Sequence, residues 1–103
     1  MSNNEKHLKI LEQTLNDYRN KQLLLADAIA TCERKRLQVE YQSDMKVNAQ
    51  SQIKFEEYHQ DFVDAQEIVS RLMNRVEVEF TVVKCAAAQL ARARSYSPRR
   101  ASP

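Results

Sequence analysis

Glycine is absent from this 103-residue chain, and neither of its two prolines comes before Pro98. An average soluble protein uses roughly 7% glycine and 5% proline. Glycine is the residue that reaches positive φ without steric cost, so tight turns, β-bulges and phosphate-cradling loops depend on it. This chain cannot build them cheaply, and no glycine-rich nucleotide motif is available to it. Proline, which removes a backbone donor and breaks helices, interrupts nothing from Met1 to Ser97. Tryptophan is missing too. The two cysteines, Cys32 and Cys85, are too few for a disulfide framework, and with no apolar leader after Met1 they read as reduced thiols in a cytosolic compartment. No run approaches the roughly 18 apolar residues of a membrane span. His7 and His59 are the only histidines, and neither has a cysteine nearby to complete a metal site. The expectation is a non-enzymatic protein with no cofactor, no metal and no small-molecule substrate.

What is present is charge and helical periodicity. The net charge of +2 hides an asymmetry: all 14 acidic residues precede Arg92, while Arg92, Arg94, Arg99 and Arg100 follow with no acid among them. A mildly acidic body therefore ends in a basic segment.

Ser2, Asn3 and Asn4 offer N-cap side chains before Glu5, whose charge suits the start of a helix. Apolar residues then recur at helical steps: Leu8, Leu11, Leu15, Tyr18, Leu25, Ile29, Cys32 and Val39. Gln22 and Arg36 fill polar slots in this register. Leu23, Leu24 and Leu37 widen the stripe beyond a two-position seam, as in a multi-helix bundle. The pattern fades over residues 43–52, which supply Ser, Asp and Asn as turn formers; a connection is expected near 44–50, with Asn48 able to take a left-handed conformation. A cleaner heptad run follows: Phe55, Tyr58, Phe62, Ala65, Val69, Leu72, Val76, Val83, Ala86 and Leu90. Glu79 is the one charged residue at a seam position, and its neighbour Phe80 is placed to take over the contact.

The predicted architecture is all-α: two long amphipathic helices, about 4–43 and 51–91, as an antiparallel coiled-coil hairpin, then a disordered Arg/Ser/Pro tail over 92–103. The helix-association seam is assigned to Leu8, Leu11, Leu15, Leu25, Ile29, Phe55, Tyr58, Phe62, Val69, Leu72, Val76, Val83 and Leu90. Two such helices have no closed interior, so their stripes call for a homo- or hetero-oligomeric partner.

Two polar features carry candidate roles. Arg34, Lys35 and Arg36 form a basic run in the first helix. Such a run suits a solvated face with i,i+4 pairs, for example Arg36 with Glu40, or contact with anionic lipid head groups. In the tail, Ser97 and Ser102 each precede a proline, and Arg99-Arg100-Ala101-Ser102 matches a basic-directed kinase site. Phosphates there would cancel much of the local positive charge. Arg92, Arg94, Arg99 and Arg100 are the candidate polyanion contacts, nucleic acid being the less favoured partner.

Residues 17–43, DYRNKQLLLADAIATCERKRLQVEYQS, resemble the stretch of sorting nexins in which a tyrosine-bearing helix leads into a basic run and a glutamate-containing continuation. Residues 49–80 look like the start of the last long helix of the same BAR-domain proteins, ending in Val76-Glu77-Val78-Glu79-Phe80. The resemblance implies a dimer of curved helical bundles that binds and shapes endosomal membranes. Arg34, Lys35 and Arg36 would then face anionic lipid, and the chain would be cytoplasmic and peripheral on endosomes. The functional expectation is a helical interaction module of this type. The alternative is a coiled-coil assembly adaptor whose basic tail contacts nucleic acid or is regulated by phosphorylation.

Overall fold

The computed structural model describes residues 3–45 and 48–95. They form two helices, α1 (Asn3–Asp44) and α2 (Ala49–Ser95), joined as a hairpin, and no strand occurs among the described residues. Both helices run uninterrupted because nothing in their sequences breaks them: no glycine, no proline, and few β-branched runs. α2 continues to Ser95, beyond the boundary expected at 91. Arg92 and Arg94 in its last turn complement the negative end of the helix dipole, and Ala91 and Ala93 are strong helix formers. The remainder of the expected tail, residues 96–103, lies outside the described residues.

The connection falls at Met45–Asn48, within the expected window, and Asn48 does not take the left-handed conformation open to it. No described residue has positive φ. Asn48 instead caps α2: the Ser51 backbone N–H donates to Asn48 Oδ1 at 2.9 Å, and the Asn48 backbone N–H donates to Ser51 Oγ at 3.0 Å. This is a reciprocal capping box with serine in the place usually held by glutamate. At the other side of the turn, the Met45 N–H is shared between the Tyr41 and Gln42 carbonyls, both at 3.2 Å.

Contacts divide the chain into two units, one of Met1–Gln22 with Arg75–Pro103 and one of Leu23–Asn74. Each contains a stretch of α1 against a stretch of α2. Along α2, the residues that are not exposed are Ser51, Phe55, Tyr58, Phe62, Ala65, Val69, Leu72, Val76, Glu79, Val83, Ala86, Leu90 and Ala93. They alternate steps of four and three residues without a single exception, the signature of one coiled-coil face. Only Ala65, Ala86 and Leu90 are buried outright. Two of these are alanines, which let the partner helix approach closely.

Substitutions at three sites test this account. Asn48→Ala should cost about 1 kcal/mol through loss of the cap, while Asn48→Asp should keep most of it. Leu90→Ala should cost about 2 kcal/mol, the low end for a buried leucine because the groove is open on one side. Leu23→Ala, at a site 69% exposed, should change stability by under about 0.5 kcal/mol. Urea unfolding followed by circular dichroism distinguishes these values; equal costs at Leu90 and Leu23 would contradict the seam.

Candidate association surface

The face that α1 turns toward α2 is set by the same four-and-three rhythm. Its least exposed row is His7, Leu11, Thr14, Tyr18, Lys21, Leu25, Ala28, Cys32, Lys35, Val39 and Gln42. In heptad terms, Leu11, Tyr18, Leu25, Cys32 and Val39 occupy position a, and Thr14, Lys21, Ala28 and Lys35 occupy position d. The sequence pattern pointed to a second row one residue further on, at e: Leu8, Leu15, Ile29, with Gln22 and Arg36 between them. That row flanks the seam instead. Leu15 is half-buried, while Leu8 and Ile29 are exposed.

The reason lies in the width of the stripe. Apolar residues border the seam on both sides, Leu8, Leu15 and Ile29 at e and Ile10 and Leu24 at g, and the a/d seam bisects them. Thr14 and Ala28 are small enough to sit close to α2. Lys21 and Lys35 can lay their methylene stems along the groove and keep their ammonium groups in water. A search for large apolar residues overlooks such positions. The available signal is indirect: the a row of Leu11, Tyr18, Leu25, Cys32 and Val39 places d three residues after each of its members.

On α2 the assigned residues Phe55, Tyr58, Phe62, Val69, Leu72, Val76, Val83 and Leu90 all lie on the seam row. Glu79 is on it as well, its side chain 16% exposed and 3.9 Å from Arg75. Lys21 and Glu79 thus bring opposite charges to the seam of the first unit. Phe80, one position past Glu79, packs against Tyr18 with ring centroids 5.6 Å apart, and Lys84 Nζ lies 4.9 Å above the same ring. In the second unit, Leu37, Gln38, Tyr41, Gln42 and Tyr58 line an open cleft of about 360 Å³. Phe55 stacks on His59 nearby, with centroids 6.0 Å apart.

The basic run does not form one cationic face. Arg36 is held by two carboxylates: its Nε donates to Glu33 Oε2 at 3.0 Å, and its Nη1 donates to Glu40. Lys35 is on the seam, and Arg34 donates to Thr31 Oγ1 at 3.0 Å from an exposed position. The hydrogen bonds from Arg36 hold the Glu33 carboxyl below its ordinary 4.5, helped by the guanidinium charge. The same bonds and charges raise Arg36 above the usual arginine range.

Cys32 is half-buried on the seam and Cys85 is exposed. Among the described residues, no three His, Cys, Asp or Glu side chains gather closely enough to hold a metal ion, and no helix is long and apolar enough to cross a membrane. Arg92 and Arg94 are exposed on the last turn of α2. Ser97, Arg99, Arg100 and Ser102 lie outside the described residues. No protein-family model matches the chain, and neither a curated protein nor a solved structure is significantly similar to it.

A carboxylate whose pKa is depressed in the folded state stabilises that state fully above its unfolded pKa, and the contribution disappears as pH falls through the lowered value. Carbon-13 titration of the Glu33 side chain should therefore give a midpoint below 4.5, and Arg36→Met should return it toward 4.5. A midpoint that Arg36→Met leaves unmoved would show that the pair does not persist in solution.

Proposed function

We propose that this chain is a non-enzymatic helical association module, acting by pairing its apolar helix faces with another helical surface. The observation that carries this reading is the division of its apolar residues. Each helix spends one row on the hairpin seam, while Leu8, Ile10, Leu24, Ile29, Phe80 and Val82 remain 41% to 50% exposed on its flanks. A two-helix zipper needs apolar residues only at a and d. Three apolar positions in seven are the mark of a helix in a larger bundle.

Contact with anionic endosomal membrane, the role implied by the resemblance to sorting-nexin BAR helices, draws less support. Of its three candidate residues, Arg36 is neutralised by Glu33 and Glu40, and Lys35 lies on the seam row while Arg34 is exposed, so the run presents no single cationic face. A polyanion contact at the C-terminal end has Arg92 and Arg94 exposed for it.

Sedimentation of the full chain across the micromolar range tests the association reading. A species heavier than the 12.0 kDa chain should appear and grow with concentration. A single 12.0 kDa species at every concentration, with helical circular dichroism intact, would reject self-association as the form that pairing takes.

A further inference from the structure

On α2, Phe55, Phe62, Val69, Val76, Val83 and Leu90 occupy a, which puts Phe80 and Ala87 at e. Both helices thus place apolar residues at e, and in an antiparallel pair the e rows of the two helices border the same side of the seam. The first unit shows this directly: Phe80 of the α2 e row meets Tyr18 at position a of α1. Leu8 and Leu15 on α1 and Phe80 and Ala87 on α2 consequently share one face of that unit. Phe80 is 45% and Leu8 41% exposed. Beside Leu15 the surface is hollowed into a shallow groove of about 310 Å³, with Glu12, Asn16 and Arg19 on its other sides.

We propose that this face docks on the same face of a second copy, giving a four-helix bundle in which α1 of each copy lies against α2 of the other. The proposal rests on the association reading and names its partner and surface. The argument for a second copy is charge complementarity along the rim. Position b borders the e row on its solvent side, and in this unit it carries Glu5, Glu12 and Arg19 on α1 and Glu77, Lys84 and Ala91 on α2. All six are exposed. The Tyr18–Phe80 contact fixes the levels of the two antiparallel strands of helix. Stepping back along α1 and forward along α2, Glu12 is level with Ala86 and Arg19 with Glu79.

A two-fold axis parallel to the helices keeps those levels and sets α1 of one copy beside α2 of its partner. Glu12 then faces the rim position of Lys84, and Arg19 faces that of Glu77, each twice by symmetry and all four with opposite signs. The other closed arrangement, with the axis across the helices, lays α1 on α1 and α2 on α2. Centred on this face, it sets Glu12 against Glu12 and Lys84 against Lys84; Arg19 then meets Glu5, but the two like-charge contacts remain, and the first arrangement has none. Phe80 lies at the middle of the favoured interface, beside the partner's Leu15 groove, where a buried aromatic contributes most.

The test compares dissociation constants of the full chain and its variants by sedimentation, with circular dichroism recorded on each. The expected wild-type species has twice the 12.0 kDa chain mass. Phe80→Glu and Leu8→Glu should each convert it to monomer while the helical signal persists. Arg19→Glu and Glu77→Arg alter exposed rim positions and should leave the hairpin intact. Each should weaken the dimer roughly tenfold, as two surface ion pairs turn repulsive. The double variant should recover most of that loss. A dimer that survives Phe80→Glu, or charge reversals that fail to rescue each other, overturns this docking face while leaving association as such standing. A wild-type chain that never exceeds monomer mass overturns the docking face and self-association together.

Discussion

A hairpin of two helices can cover only one face of each. Every described residue of α2 that is withdrawn from solvent lies on a single alternating row, and only Ala65, Ala86 and Leu90 are truly buried. Neighbouring features follow from this limit. The seam tolerates Lys21, Lys35 and Glu79 because no point on it is far from water, so the cost of desolvating a charge is small. Ion pairs such as Glu33–Arg36–Glu40 and Glu67–Arg71 sit on the outer surface, where such pairs add little individual stability. The apolar residues left over are the raw material for contacts with something else.

A chain without glycine has to reverse direction by other means. On either side of the connection, backbone donors are satisfied by side chains and shared carbonyls. The Asn48 and Ser51 side chains each take a backbone N–H of the first turn of α2, and Met45 divides its N–H between two carbonyls at the end of α1. The start of α2 is therefore specified by hydrogen-bonding side chains. This fits a stretch rich in Ser, Asp and Asn.

The helices, their number and the place of the turn were legible because periodicity over tens of residues is a strong signal and helix breakers were missing. On α2 the residues withdrawn from solvent between Phe55 and Leu90 follow the apolar row of the sequence, which is narrow and interrupted there only by Glu79. On α1 the same reasoning found one row, Leu11, Tyr18, Leu25, Cys32 and Val39, and misjudged the other. Leu15 and Ile29 are larger and more apolar than Thr14 and Ala28, but a seam favours residues that allow close approach as well as those that are hydrophobic. The stripe is wide enough to fit either phase, and only the partner helix decides between them. The cap formed by Asn48 was not legible for a related reason. Asparagine suits both a left-handed turn and an N-cap, and the choice depends on what Ser51 offers it three residues later.

The antiparallel topology also orders the closing of the structure in time. Near the capped turn, the two helices meet across a short stretch of intervening chain. The Tyr18–Phe80 contact, by contrast, closes a loop that contains the whole of Leu23–Asn74. Loop-closure entropy grows with the length of that intervening chain, so pairing that starts at the turn and zips outward avoids the larger initial cost. The segment carrying Leu8, Leu15 and Phe80 is then the last to pair and the first to fray. A surface at that end sits where a bound partner would slow hydrogen exchange the most.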